Sequence, residues 1–402
     1  MTQTDPTDTA NRPLSDVAVV ELGHIAAGPF CSLLLAELGA EVVKIEHRAS
    51  GGDSVRDSTP VGNSLFNAVN RNKQSVSIDL KTEGGLAAFE TLIAETDVFV
   101  ENLRPGAPDR LGIGYDDLRS VNDGLVYCSI KGFNEGPYQD LPALDPVAEA
   151  LSGLMSVTGH SGSPPARAGT SVADMTAALF GAFGIVGALR QRATTGEGQH
   201  LTAPLFESTV SLMGYWLAYT QAYDDIPEPI GAGHDNWAPY NVYRSADERW
   251  VFVGPSSQRD WEALCRALDI ELHERPAFET LADRRENEAE LDTELGGVIG
   301  EHDAETVVSL LRAADVPVAL VQNLKEVTED DHMAATGGFV DVDTVAGAPA
   351  EVSVPRFPVR SSGFEPPAAT DPPELGEHTE RVLRGLGYSD GEIERLRAEG
   401  CL

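Results

Sequence analysis

The stretch "AGTSVADMTAALFGAFGIVGALRQR", residues 168–192, sets one acid, Asp174, at the mouth of a long run of small and apolar residues. Two chemistries suit a lone carboxylate there. Asp favours a helix start, where its oxygen accepts unpaired backbone N–H groups and its charge meets the positive end of the dipole. The same surroundings keep a carboxylate ionised and held as a nucleophile. The window alone leaves capping and catalysis both open. The bases are the second feature. Of five lysines, Lys44, Lys73, Lys81 and Lys131 fall between residues 44 and 131, beside His47, Arg48, Arg56, Arg71, Arg104, Arg110 and Arg119. Singly, each reads equally well as an ordinary surface base. Together they point to a polyanionic small ligand, its phosphates held by charge-assisted hydrogen bonds. The loop "ELGHIAAGPF" carries Gly23 and Gly28 but no G-x-G-x-x-G, and no P-loop occurs, so neither dinucleotide nor P-loop recognition accounts for that ligand.

The elements that must position these groups follow from periodicity. "DVAVVEL", "EVVKIE", "SVSIDL", "DVFVEN", "GLVYCSI" and "GQHLTAP" read as strands; "FCSLLLAELG", "EGGLAAFETLIAET", "YDDLRSVN", the segment after Asp174 and "LFESTVSLMGYWLAYT" read as helices. This rhythm predicts an α/β fold, a Rossmann-like large domain with a mostly parallel sheet. Ligands of such sheets bind at the carboxyl ends of strands, which directs attention to the loops after Leu22, Ile45, Val100 and Ile130. Near "YDDIPEPIGAG" the pattern changes. A hairpin in "YNVYRSADERWVFVG", helices near 258–269 and 303–314 and the strand "VPVALVQ" predict a smaller α+β domain. The expected division is 14–222 for the large domain, 225–330 for the small one, and 331–402 for a return segment docking on the large domain. That segment contains the extended "VPRFPVR" and two amphipathic helices, "LGEHTERVLRGLG" and "DGEIERLRAEG".

Composition excludes other classes. Acids number 64 against 29 bases, a net charge of −35, and they are scattered along the chain. Such a field repels nucleic acid and anionic membranes. An acidic, lysine-poor surface is similar to that of proteins in salt-accumulating cytoplasms, where salt screens self-repulsion. The four cysteines form no C-x-x-C pair, as in a reducing cytosol, and the nine histidines show no metal-ligand spacing. The polar start "MTQTDPTDTANRP" lacks a signal pattern, and the apolar run after Asp174 reads as shorter than a membrane span. The expectation is a cytoplasmic protein with no bound metal, no nucleic-acid partner and no membrane partner.

Several motifs, in order, resemble the class III CoA-transferases: "VVELGHIAAGPFCSLLLAELGAEVVKIEHRASGGDSVR", "NRNKQSVSIDLK", "VENLRPGAPDRLGIGYDDL" and "SIKGF". The family includes formyl-CoA and carnitine CoA-transferases and the related alpha-methylacyl-CoA racemases. The resemblance implies a coenzyme A thioester as substrate, no prosthetic group, and an interlocked homodimer. It places the catalytic nucleophile at Asp174 and CoA contacts at His24, Ala27, Asn102, Leu103, Arg110 and Lys131. His47 takes a position that is Arg in some relatives, and Asn70, Arg71 and Lys73 lie in a motif bordering the nucleotide. Departures are Ala26 where formyl-CoA transferase has Gln, Leu144 and Asp145 where it has a Tyr-Glu pair, and "GAGHDNWAPY" in place of its glycine-rich loop.

The implied reaction moves CoA from a donor, succinyl-CoA, to a small acid such as mesaconate through an aspartyl anhydride and an aspartyl-CoA thioester. One alternative is a racemase, which needs a histidine where this chain has Ala143 and Leu144. Another is a CoA-binding protein without chemistry.

Overall fold

Six apolar segments, each closed by a polar or glycine-bearing turn, build the main sheet. They are β1 (Ala18–Leu22), β2 (Glu41–Glu46), β3 (Lys73–Ser77), β4 (Val98–Glu101), β5 (Val126–Lys131) and β6 (Gln199–Pro204). All neighbours are parallel, in the order β3-β2-β1-β4-β5-β6. The order reverses between β1 and β4, which opens a crevice at their carboxyl ends. The structure is a computed structural model that describes residues 12–345 and 351–402; the polar stretch 1–11 and residues 346–350 lie outside the described residues.

The chain divides into two compact units, one of Met1–Leu154, Arg167–Ala222 and Asp331–Leu402, the other of Met155–Ala166 and Tyr223–Asp330. Residues 155–166, read from sequence as part of the first segment, fall in the second unit. The Gly231 amide donates to the Gly159 carbonyl at 2.6 Å, and His160 bridges to Ile230.

In the first unit, alternation along the strands sends Val19, Val42, Val98, Val126 and Cys128 to one face and Val20, Val43, Val76, Phe99 and Tyr127 to the other. The first face is covered by helices Ala27–Glu37 and Val172–Thr195, which pack on each other. The 24-residue helix Val172–Thr195 corrects the sequence reading: by length and composition it could cross a membrane. Here Ala173, Ala177, Ala178, Gly181 and Ile185 face the sheet and are buried. Gly181 packs closely: a Cβ there would meet the Cys31 sulfur at 3.3 Å, a tight contact, and the Cys128 sulfur at 3.6 Å.

The return segment adds an antiparallel pair, β10 (Phe339–Asp343) with β11 (Glu351–Pro355), which sequence reading did not foresee. It then lies against β3: the His378 amide donates to the Ser75 carbonyl at 2.9 Å, Ser77 N–H to Thr379 Oγ1 at 2.9 Å, and Asp79 N–H to the Cys401 carbonyl at 2.8 Å. The second unit holds a three-stranded antiparallel sheet, β7 (Asn241–Arg244), β8 (Trp250–Val253) and β9 (Val318–Leu320), around a core that includes Trp261, Leu264, Leu291 and Leu311.

Candidate active site

Two structures of the first unit carry the candidate residues: the loop after β1 and the start of the helix that carries Asp174. The loop Gly23–Ala26 is fixed from three directions. Asn102, just beyond β4, accepts from the His24 amide and donates to the His24 carbonyl, both at 2.9 Å. Asp53 accepts from the Ile25 amide at 3.0 Å. Ile25 sits at φ 67°, a region β-branched residues rarely enter, so local strain is held by these bonds. Gly28 must lack a side chain, since a Cβ would lie 3.2 Å from both Asn102 Oδ1 and the Gly23 Cα. The following helix, Ala27–Glu37, has no side-chain cap, so its first amides present a positive dipole end at the strand-order reversal. His24 itself is half-buried; burial, only partly offset by the Asp53 charge, keeps its imidazole below its usual pKa and neutral at pH 7.

Beneath the loop lies a buried ionic cluster. Lys44 Nζ donates to Glu21 Oε1 at 2.8 Å, the Gly23 carbonyl at 2.8 Å and Asp53 Oδ2 at 3.1 Å. Lys73 Nζ donates to Glu21 Oε2 at 2.7 Å, the Pro29 carbonyl at 2.8 Å and Asn70 Oδ1 at 3.0 Å. Both lysine side chains and that of Glu21 are 0% exposed. Burial alone would raise the Glu21 carboxyl, but the two lysine charges and their hydrogen bonds outweigh it and hold it at about 2. Burial presses the Lys73 ammonium down to about 8, Lys44 adding to the effect and Glu21 opposing it.

The basic cluster read from sequence therefore splits. Lys73 and Arg71, expected to border the nucleotide, are internal: Arg71 pairs with Glu37 at 2.7 Å and donates to the Ala68 and Pro355 carbonyls. Arg56 pairs with Glu46 at 2.6 Å in the same buried layer. These four bases, Lys44 included, are buried among internal acceptors, with the Arg71 Nε left as a buried donor without a partner. The remaining candidates stand at the carboxyl ends of the strands. His24 and Ala27 follow β1, half-exposed His47 follows β2, Asn102 and Leu103 follow β4, and Lys131 ends β5. Lys131 is held by Glu101 at 2.6 Å and by the Leu103 carbonyl at 2.8 Å, and His47 lies 3.4 Å from Asp79. Arg110, Arg104 and Lys81 are exposed.

At the second structure, the opening alternative for Asp174 resolves in part. Asp174 is the third residue of the helix, yet another acid supplies the cap. Asp145, which begins the helix Asp145–Leu151, accepts from the Ala173 amide at 2.8 Å and the Asp174 amide at 3.3 Å. The Asp174 carboxylate is left out of the capping. Burial, then the Asp145 charge, push it up to about 7, against the pull of Arg167. Arg167 reaches Asp145 Oδ2 at 3.3 Å with half its side chain in solvent. Leu144, the residue before Asp145, is exposed. Sequence reading missed Asp53 and Arg167 as parts of the site, and it named Asp145 as a departure from the family's Tyr-Glu pair without its capping role. The one available signal was "DP" at 145–146, an acid-proline helix start.

No group of three or more His, Cys, Asp or Glu able to hold a metal occurs among the described residues. The first unit offers a carboxyl held near neutrality at the start of the long helix and, at the carboxyl ends of the strands, backbone amides, a half-buried imidazole and exposed cations. That arrangement suits acyl transfer to and from a thioester whose charged tail is held at a distance.

Comparison with known proteins agrees. The sequence profile described as CoA-transferase family III matches residues 14–379. A succinyl-CoA–D-citramalate CoA-transferase of Chloroflexus aurantiacus is 33% identical over 397 residues, 96% of this chain and 98% of its own. A succinyl-CoA:mesaconate CoA-transferase of Haloarcula hispanica is 33% identical over 395 residues, 94% of this chain and 97% of its own. The crystal structure of a CAIB/BAIF family protein from Brucella suis superposes with a TM-score of 0.86 at 30% identity, covering 94% of this chain and 100% of that one.

Proposed function

The chain belongs to CoA-transferase family III and is a class III acyl-CoA:carboxylate CoA-transferase; from that premise we propose that Asp174 is its nucleophile, succinyl-CoA its donor and a four- or five-carbon dicarboxylic acid such as mesaconate its acceptor. The observation that carries the reading is the Asp174 carboxylate itself, excused from capping by Asp145 and poised near neutrality. The names of the citramalate and mesaconate relatives support the substrate class.

In this mechanism ionised Asp174 attacks the donor thioester carbonyl, forming a mixed anhydride and releasing CoA thiolate. The thiolate attacks the aspartyl carbonyl and expels the donor carboxylate, leaving an aspartyl-CoA thioester. The acceptor carboxylate attacks that thioester, giving a new anhydride and thiolate. Thiolate attack on the acceptor carbonyl yields the new acyl-CoA and restores the carboxylate. CoA stays bound through its distant phosphates, so each thiolate return is local. The uncapped Ala27–Glu37 amides, His47, Arg110 and Lys131 with the exposed Lys81 and Arg104 supply the phosphate edge, while Asn102 and Leu103 border the crevice. Arg71 and Lys73 act from beneath, as supports of the loop.

The reading includes a homodimer in a saline cytoplasm. The long helix leaves Leu179, Phe180, Phe183 and Val186 on its outer side, Phe183 80% exposed, as a second copy would cover. The four cysteines are free thiols, in keeping with a reducing compartment.

The test is mass spectrometry of acyl-CoA products in molar KCl and deuterated water, with succinyl-CoA, a methyl-branched acyl-CoA and a pool of carboxylic acids. A dicarboxylate-CoA without alpha deuterium is the expected product. Deuterium entering the branched thioester without CoA exchange establishes a racemase, and no product of either kind leaves a CoA-binding protein without chemistry. A narrower prediction concerns Asn102→Ala. Two hydrogen bonds of about 1 kcal/mol each are lost from the loop, so KM for acyl-CoA rises by up to about thirtyfold with kcat little changed. An unchanged KM with a lowered melting temperature assigns Asn102 to stability alone.

A further inference from the structure

Glu149 lies one helical turn beyond Asp145, at i+4 on the same short helix, and its side chain is 0% exposed. Nothing in the mechanism above uses it. One oxygen, Oε2, accepts from the Ala168 amide at 2.7 Å and so ties down the segment that leads into the Asp174 helix. The other, Oε1, has no hydrogen-bond donor. Arg167 Nε stands 3.9 Å from it, beyond hydrogen-bonding distance. The same guanidinium reaches Asp145 Oδ2 through its Nη2 at 3.3 Å, so the two carboxyl groups, one helical turn apart, face a single cation. Two carboxyl groups so placed repel when both are ionised, and a hydrogen bond between them requires a proton from one of them.

We infer that Glu149 is a positioning residue that stays protonated in the working enzyme, donating its proton to Asp145 so that Asp145 can cap the helix and hold Asp174 in place. Asp145 is the member that must remain anionic, because it accepts from two backbone amides and from Arg167. Glu149 is the less supported member, with one backbone amide on Oε2 and no donor on Oε1, and burial with the neighbouring Asp145 raises its carboxyl above the ordinary range. The charged groups facing the pair are Arg167 from the preceding loop and Asp174 from the long helix. The helix Leu205–Leu212 packs on the same helix, but its one acid, Glu207, accepts from the Asn134 amide. The arrangement keeps a single negative charge beside Asp174. Loss of the Glu149 proton adds a second, which pushes Asp145 off the helix amides and makes ionisation of Asp174 harder.

The inference rests on Asp174 as nucleophile for its catalytic half, and its structural half is tested without substrate. In infrared spectra at pH 8, the wild-type protein carries the carbonyl stretch of a buried protonated acid, and Glu149→Gln lacks it. Labelling with 13C-glutamate moves the same band in the unmodified protein, so the assignment survives if the variant fails to fold. Absence of a glutamate-derived band overturns the inference. In kinetics, the alkaline fall of kcat in the wild type moves upward by at least about one pH unit in Glu149→Gln, which keeps a donor to Asp145 but has no proton to lose. The acid limb set by Asp174 stays in place. An infrared band lost with an unmoved alkaline limb overturns the positioning role, and an infrared result without measurable transfer points instead at the proposed function.

Discussion

Replacing Asp174 with Asn is expected to lower CoA transfer by about four orders of magnitude or more and, above neutral pH, to raise the melting temperature. The first effect follows because the amide cannot form the anhydride, and no neighbouring carboxylate is free to replace it: Asp145 is engaged with the helix amides and Arg167. The second follows from the raised pKa. A carboxyl near 3.8 in the unfolded chain and near 7 in the fold binds its proton more tightly when folded. Its stabilising contribution is present below pH 3.8 and is lost as pH rises through 7. The ionised form therefore strains the native state at pH 8, and Asn relieves that strain; the gain is smaller at pH 5, where the carboxyl is ionised in the unfolded chain but still protonated in the fold. Steady-state rates and melting curves at both pH values check the claim. A variant that is inactive and also less stable at pH 8 would show that Asp174 is structural. In the wild type, kcat should rise with pH through about 7 as the nucleophile ionises.

The second large effect lies beneath the loop. Lys44→Met is expected to cost about 3–5 kcal/mol, because Asp53 stays buried without its lysine and Glu21 keeps only one of its two, Lys73. An exposed pair such as Arg384 with Glu380 contributes about 1 kcal/mol or less, so the comparison separates burial from mere pairing. Urea unfolding at fixed KCl measures both, and a Lys44→Met loss below about 1 kcal/mol would mean the cluster is hydrated. The cluster also sets acid sensitivity. Glu21 is held at about 2 against an ordinary 4.5, so its share of stability is full above pH 4.5 and is lost as pH falls toward 2.

All six strands of the main sheet were legible as apolar runs between turn residues, and so was the change of pattern beyond residue 222. What sequence could not separate was which bases face a ligand. Lys44 and Lys73 look like neighbours of a phosphate site because each sits on or begins a strand in the basic stretch. The deciding fact is lateral: Glu21 on β1 is the register partner of Lys44 on β2, and Lys73 begins β3 beyond it. A charge inside an apolar strand of a sheet covered on both faces signals an internal partner, and "VVELG" and "EVVKIE" both carry one. The candidate nucleophile was legible as a residue but not its setting. Asp145 and Glu149 lie about 25–30 positions upstream and meet the helix start through a packing of two helices that no local pattern encodes.

The contacts of the return segment have a bearing on how the protein is made. The amides of Ser77 and Asp79 find their acceptors at Thr379 and Cys401, more than 300 residues later. During synthesis β3 leaves the ribosome as the exposed edge of a sheet whose cover has not been translated. Pairing of such distant segments is slow, and an open edge invites association with other chains. Completion of the first unit therefore waits for residues 378–401 to be made, and nascent chains lacking the helices Thr379–Gly385 and Asp390–Ala398 should depend on chaperones far more than chains that contain them.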